Sequence, residues 1–273
     1  VTESVAKAGP FTAIVLAGQR AEGDPLAQSR GMAWKALVPV AGRPMVEHVL
    51  LTLLSSSSIG RIAVSAPTPD LLAGIASLQD ALARGRILVF PTEAGPAAST
   101  AAAWKRLDHP CPTLVTTADH ALLTPELVDR FCREAAAGDA DVHGAVVSAS
   151  SIRAAFPTAR RTYLRFTEEA YSGANLFLLA SPQAERAIAF WERVEQDRKR
   201  PWRIARQVGL GTLLLFLLRR LSLQAALARL SRAAGARCAA ITLPEAWASV
   251  DVDKPEDLHL AEQILAERGK STR

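Results

Sequence analysis

Short apolar runs alternate with stretches of helical spacing through the first half of the chain. Phe11-Thr-Ala-Ile-Val-Leu-Ala-Gly18 reads as a buried strand entering a loop. The polar connection from Gly18 to Trp34, with Gly23, Asp24, Pro25 and Gly31, reads as a long loop without an element of its own. Pro44 to Leu54 has helical spacing, with Pro44 suited to a first turn. Strands are expected at Arg61–Ala66, Ile87–Phe90 and Thr113–Ala118, and helices at Asp70–Arg84, Ala97–Leu107 and Pro125–Ala137. Strands separated by helices at this interval predict an α/β fold, a mostly parallel sheet with helices on both faces.

The second half changes character. Val142–Ser148 has the look of a strand, and a polar, Arg-containing stretch then runs to Phe166. Asn175–Leu179 is another strand, Pro182–Gln196 a helix, and Ala239–Leu243 a last strand before a terminal helix opened by Pro255. Leu210 to Leu218 is apolar apart from Gly211 and Thr212, and is closed by Arg219 and Arg220. It is too short to span a bilayer, where about 20 residues are needed. It reads as a buried helix, with a surface-lying membrane helix as the alternative. The expected organisation is one domain over residues 1–273, with a helical, Arg-rich insert at 182–237.

Charge adds to that division. Of 32 basic and 27 acidic residues, 16 basic and only 6 acidic ones fall between Arg153 and Arg237. Such a region suits an anionic substrate or membrane surface, and Arg198 and Lys199 are candidate acceptor-binding groups. With 49% hydrophobic residues the chain can bury a substantial core, and 5% aromatics argue against a stacking platform for nucleic acid, so no nucleic-acid partner is expected. Cys111, Cys132 and Cys238 form no CxxC, which excludes a zinc knuckle and a disulfide framework. The first apolar run suits a strand better than a signal peptide, so a cytoplasmic location is expected, with peripheral contact to an anionic membrane as an extension.

Three separated segments carry the candidate chemistry. Leu16-Ala-Gly-Gln-Arg20 is followed by Trp34-Lys-Ala-Leu-Val-Pro-Val-Ala-Gly-Arg-Pro-Met45. A glycine closing a first parallel strand lets the backbone approach a ligand at the carboxyl edge of the sheet, where Arg20 and Lys35 offer cations to phosphate oxygens. Thr116-Thr-Ala-Asp-His-Ala-Leu-Leu-Thr-Pro125 places Asp119 directly after a buried strand, a position from which it can hold Mg²⁺ or cap a turn. His120 is expected to orient or pack its loop. Ser249-Val-Asp-Val-Asp-Lys-Pro-Glu-Asp-Leu258 puts Asp251 and Asp253 on one face if extended, and Asp257 suits a helix cap.

Together these segments resemble the MobA-like NTP transferases, nucleotidyltransferases related to the molybdenum-cofactor guanylyl- and cytidylyltransferases. The family signature is LAGGxGxRM…PKxLxxVxGxP, a metal Asp after a mid-chain strand, and a late (D/N)xPxDL. Here the matching stretches are LAGQR, WKALVPVAGRPM, TTADHALLTPE and DVDKPEDL, which lie within residues 11–132 and 172–262. The departures are Gln19 for a second glycine, a long loop to Lys35, Trp34 in place of proline, and Asp119-His-Ala for Asp-Xaa-Pro. The resemblance implies a Rossmann-like, GT-A-like fold and a nucleotide site formed by Leu16, Ala17, Gly18, Arg20, Lys35 and Asp119. Gly95 and Ser99 of EAGPAAST would contact base or ribose, and Asn175 of SGANLFLL would line the acceptor pocket. Asp119 matches the Mg²⁺ ligand, and Asp253 the second metal position, with Asp251 its competitor. The implied reaction moves an NMP from an NTP, CTP or GTP, onto a small phosphorylated acceptor and releases pyrophosphate, with Arg20, Lys35, Asp119 and Asp253 as the catalytic set. In an empty site Lys35 is expected to be largely solvated. The rivals are a GT-A-like glycosyltransferase, for which Asp139-Ala-Asp141 and Asp251-Val-Asp253 are the DxD candidates, and a non-catalytic nucleotide-binding or membrane-associated protein.

Overall fold

The computed structural model describes residues 11–19, 23–197 and 209–271. Strand β1 (Phe11–Leu16) lies in the interior of the sheet. On one side it pairs in parallel with β4 (Ile59–Ala66), which pairs in parallel with β5 (Ile87–Pro91). On the other it pairs in parallel with β6 (Thr113–Thr117). Beyond β6 lies β9 (Ala170–Leu179), antiparallel to both β6 and β7 (Val142–Ser148), while β10 (Cys238–Leu243) completes the edge in parallel with β7. Outside this path, β8 (Leu164–Arg165) pairs with the start of β9. The expected parallel α/β sheet is therefore present with one reversed strand, and β9 begins five residues earlier than its apolar core, Asn175–Leu179, suggests.

Side-chain alternation explains the layers. Ala13 and Val15 of β1 face α2 (Met45–Ser55) and α5 (Pro125–Ala137), whose Val46, Val49, Leu50 and Leu53, and Leu127, Phe131 and Ala135, fill the main core at helical spacing. Ile14 faces the opposite layer, where Trp104 of α4 (Pro96–Arg106) and Ile188 of α7 (Ala184–Gln196) pack. An interior strand covered on both sides reads as a near-continuous apolar run, as this one does.

Several expectations change. The Gly18–Trp34 connection contains a short helix, α1 (Pro25–Ser29), because Asp24 accepts from the backbone N–H groups of Leu26 and Ala27 and Pro25 occupies its first position. Residues 70–84 do not form one helix. Gly74 separates one 3-10 turn, Pro69–Leu72, from a second, Ala76–Leu78, which runs directly into the short α3 (Gln79–Ala83). Gln79 compensates by donating its carboxamide N–H groups to the carbonyls of Leu72, Ala73 and Ile75. The polar stretch after β7 holds α6 (Ala149–Ala155), capped by Ser148. In the basic half, α8 (Leu210–Leu217) and α9 (Leu223–Ala234) follow α7, and the last helix is α10 (Pro255–Ser271). Among the described residues no helix is long and apolar enough to cross a membrane.

A second, smaller core positions the chemistry. Leu26 and Ala27 of α1, Val38 and Val40 before the tight hairpin of β2 (Pro39–Val40) and β3 (Arg43–Pro44), Leu122, and Val250, Val252, Leu258 and Ala261 all meet there. Ala41 and Gly42 turn this hairpin, both at positive φ, 49° and 80°. Each of the three candidate segments therefore contributes apolar residues to one cluster that lies apart from the main core.

Candidate active site

The carboxyl ends of β1 and β6 adjoin, since Ala118 donates its N–H to the carbonyl of Leu16 at 2.9 Å. Asp119 lies just past β6, and its backbone carbonyl accepts from the N–H of Val252 at 3.0 Å, which joins the second and third segments. Val250 and Val252 are fully buried in the second core, so the alternating Asp251 and Asp253 are left for the site. Docking of the first segment completes the arrangement. Gln19 accepts from the N–H of Lys35 at 2.9 Å and donates to the carbonyl of Ala33 at 2.9 Å, so its carboxamide spans the strap between Ala33 and Lys35.

At the centre, Lys35 Nζ pairs with Asp119 Oδ2 at 2.6 Å and also with Asp253 Oδ1. Thr117 Oγ1 donates to Asp119 Oδ1 at 2.5 Å and fixes the other oxygen. The Lys35 side chain is only 12% exposed, so the expectation of a solvated lysine is wrong: the two carboxylates draw it inward. Burial works against its charge, but Asp119 and Asp253 outweigh it and hold the ammonium protonated well above the ordinary lysine range.

Asp251 does not join this pair. Its Oδ1 accepts from Arg161 Nη1 at 2.8 Å and its Oδ2 from Asn175 Nδ2 at 3.4 Å. Burial, followed by the proximity of Asp119 and Asp253, pushes its carboxyl up to about 6 despite the guanidinium. Arg161, 7% exposed, also pairs with Asp257 at 3.0 Å. Asp257, in the first turn of α10, in turn accepts from the N–H groups of Asp253 and Lys254 and so ties the start of the helix to the loop. Sequence reasoning missed Arg161, which sits in a polar stretch with no motif around it. Asn175 has φ of 46° within β9, where Gly173 to Phe177 is set against the shorter span Gly144 to Val146 of β7. This bulge turns its carboxamide toward Asp251.

The other candidates are placed as follows. Gly18 abuts the loop after β5: a Cβ there would lie 3.2 Å from the methyl group of Thr92. Ser99 braces the same loop by accepting from the N–H of Glu93 at 2.9 Å. Gly95 starts α4, and a Cβ on it would meet Glu195 Oε2 at 2.7 Å. Among the described residues no hydrogen bond joins Gly95 or Ser99 to Lys35 or the carboxylates, although β5 ends at the same edge of the sheet. His120 is fully buried behind Asp119, and burial lowers its imidazole to about 4, in keeping with a packing role. Arg20, Arg198 and Lys199 lie outside the described residues. The Asp139-Ala-Asp141 candidate is structural: Asp141 accepts from Ser181 Oγ and from the backbone N–H of Arg237, both at 2.7 Å, ahead of β7. That removes the mid-chain DxD expected of a glycosyltransferase.

Comparison with known proteins gives the family and the fold. A model of the MobA-like NTP transferase domain matches residues 13–246. The chain is 35% identical to a hypothetical transferase from Thermus thermophilus, with a TM-score of 0.75 over 91% of this chain and 99% of the other. A 4-diphosphocytidyl-2C-methyl-D-erythritol synthase from Anaerococcus prevotii shares the fold at 13% identity, with a TM-score of 0.56 over 94% and 96% of the two chains. So does a CMP:2-keto-3-deoxy-manno-octonic acid synthetase complexed with CTP, at 12% identity and a TM-score of 0.58 over 96% and 100%. No curated protein matches the chain by sequence. Strand order, the convergence of three motifs on one lysine, and a family match across most of the chain lead to one assignment: this chain belongs to the MobA-like NTP transferase family and is a nucleotidyltransferase.

Proposed function

We propose that the chain transfers an NMP from an NTP to a small phosphorylated acceptor and releases pyrophosphate. The observation that carries this reading is the Lys35 ammonium shared between Asp119 and Asp253 at the carboxyl edge of the sheet. A phosphate acceptor is already anionic, so the site needs no strong general base; it needs alignment and charge neutralisation.

The donor set fits Mg²⁺. Asp119 and Asp253 offer hard carboxylate oxygens that now share one ammonium. Among the described residues no group of three or more His, Cys, Asp or Glu side chains is arranged to hold a metal. Two carboxylates suit Mg²⁺, which takes one or two from the protein and the remainder from water and substrate phosphates. Bound there, it would supply Lewis-acid neutralisation of phosphate charge. Gly18 leaves room for the nucleotide to approach the backbone, with Leu16 and Ala17 beside it. Lys35, released from the carboxylates, binds the triphosphate, and Arg20 adds a second cation. Gly95 and Ser99 line the base or ribose, and Asn175 faces the acceptor. The residue range 182–237, rich in arginine, is the part of the domain that selects the acceptor. The synthetase neighbour was solved with CTP, which makes CTP the first nucleotide to test, with GTP beside it.

Lys35→Met provides the test. Removing the ammonium leaves Asp119 and Asp253 facing each other without a counter-charge. Mg²⁺ alone should then raise the melting temperature of the variant more than that of the unaltered protein. CTP or GTP affinity should fall at least about tenfold, as loss of a charged phosphate contact costs over 1 kcal/mol. Equal Mg²⁺ shifts together with unchanged nucleotide affinity would remove Lys35 and the carboxylate pair from the reaction.

A further inference from the structure

The apolar stretch 210–218 forms a helix, Leu210–Leu217, with Leu218 at its C-cap, but it is inside out. Thr212 is 8% exposed and accepts from Arg229 Nη1 at 2.9 Å, so the polar side chain faces the protein. Leu213, Leu214, Leu217 and Leu218 are 40%, 56%, 67% and 55% exposed. At this spacing the four leucines share one face of the helix. The expectation of a buried helix is thus overturned, and a helix of a water-facing protein would present the reverse arrangement.

The location of this face is specific. The last β6–β9 pair is Thr116 with Leu176, so the earlier residues of β9 project beyond the carboxyl end of β6, and β8 pairs with them at Ala170 and Tyr171. The turn after β8 holds α8 and its connection to α9 through three contacts. Thr167 donates its N–H to the carbonyl of Leu221, Glu168 accepts from the N–H of Leu223, and the rings of Phe166 and Phe216 meet at 5.8 Å. The leucines therefore occupy the same edge of the sheet as Asp119. Leu164, 53% exposed, and the exposed Arg165, Arg219 and Arg220 border them.

We propose that α8 docks the protein on an anionic bilayer. The leucines enter the headgroup region, the bordering guanidiniums pair with lipid phosphates, and the carboxyl edge of the sheet is held toward the membrane. A second copy of the chain is the poorer occupant, because a two-fold contact through this face would set Arg219 and Arg220 against their own copies. The proposal depends on the nucleotidyl-transfer reading only for what the docked edge then does.

Co-sedimentation of the full chain with vesicles, in the absence of nucleotide, tests it. Vesicles of phosphatidylcholine and phosphatidylglycerol should pellet the protein, and those of phosphatidylcholine alone should do so weakly. Added salt should reduce the binding. The double variants Leu214→Ser/Leu217→Ser and Arg219→Glu/Arg220→Glu alter exposed positions and should melt like the unaltered protein. Each should lower partitioning into the mixed vesicles by about tenfold or more. Protein that stays in the supernatant with the mixed vesicles overturns the proposal, as do variants that pellet undiminished. Loss of self-association in the leucine variant, without vesicle binding by the unaltered protein, would assign the face to a second copy. Pyrophosphate release is measured separately: a chain that binds vesicles without turnover contradicts only the reaction, and turnover without vesicle binding contradicts only the docking.

Discussion

Gln19 stands where the family signature has a second glycine, and its carboxamide ties Lys35 to Ala33 across the strap. That brace lies beside the Lys35 ammonium that Asp119 and Asp253 share. Lys35, Asp119 and Asp253 were legible because each sits in a short motif stretch, WKALVPVAGRPM, TTADHALLTPE or DVDKPEDL. Partners that lie far away in sequence were not. Asp129 of α5 is one such case. It accepts from Ser56 Oγ, Ser57 Oγ and the N–H groups of Ser57 and Ser58, closing the end of α2. Partial burial works against its charge, but these hydrogen bonds outweigh it and lower the carboxyl to about 2. A depressed folded-state value stabilises above the unfolded value, about pH 4, and the benefit disappears as pH falls through about 2. Asp129→Ala should therefore lose roughly 1–2 kcal/mol at neutral pH, solvent screening included, and much less near pH 2. Urea unfolding across that range checks the slope; parallel curves for the two proteins would refute the assignment.

At the scale of elements, local signals predicted β1, β6, α5 and β7 well, because apolar spacing and caps coincide there. They failed over residues 70–84, where Gly74 interrupts an otherwise helical composition, and over α8, whose apolar character says helix but not which way it faces. Strand β9 shows a different limit. Its bulge depends on register with β7, a long-range property, and it places Asn175 in the left-handed region. Asparagine tolerates that region better than branched residues do. Asn175→Gly should accordingly keep the stability of the protein within about 1 kcal/mol, while Asn175→Val should cost about 1–3 kcal/mol. If Asn175 also faces the acceptor, Asn175→Gly should raise the acceptor KM without moving nucleotide affinity. Urea melts and pyrophosphate-release kinetics report the two effects, and a valine variant as stable as the asparagine protein would argue against strain at the bulge.

Across the whole molecule, the small core around Val250 and Val252 is distinct from the two that cover the faces of the sheet, which separates chemistry from scaffold. Leu50 belongs to the main core and Leu258 to the second, and both are essentially inaccessible to solvent. Leu50→Ala and Leu258→Ala should each cost about 2–5 kcal/mol. Only Leu258→Ala should also lower kcat/KM, by about tenfold or more, since it loosens the segment that carries Asp253. Assays at a temperature where both variants remain folded distinguish the two, and equal activity would show that the second core does not hold the site. The alternation of Val250 and Val252 with aspartates was visible in the chain, but their meeting with Leu26 and Val38 was not, because more than two hundred residues intervene. That separation has a consequence in time. Closing so large a loop is entropically costly, and contacts of this kind tend to form after local ones. The parallel sheet can assemble around β1 while residues 250–264 are still being synthesised, so the nascent protein acquires its architecture before it acquires a carboxylate pair. Competence to react arrives last, when α10 docks.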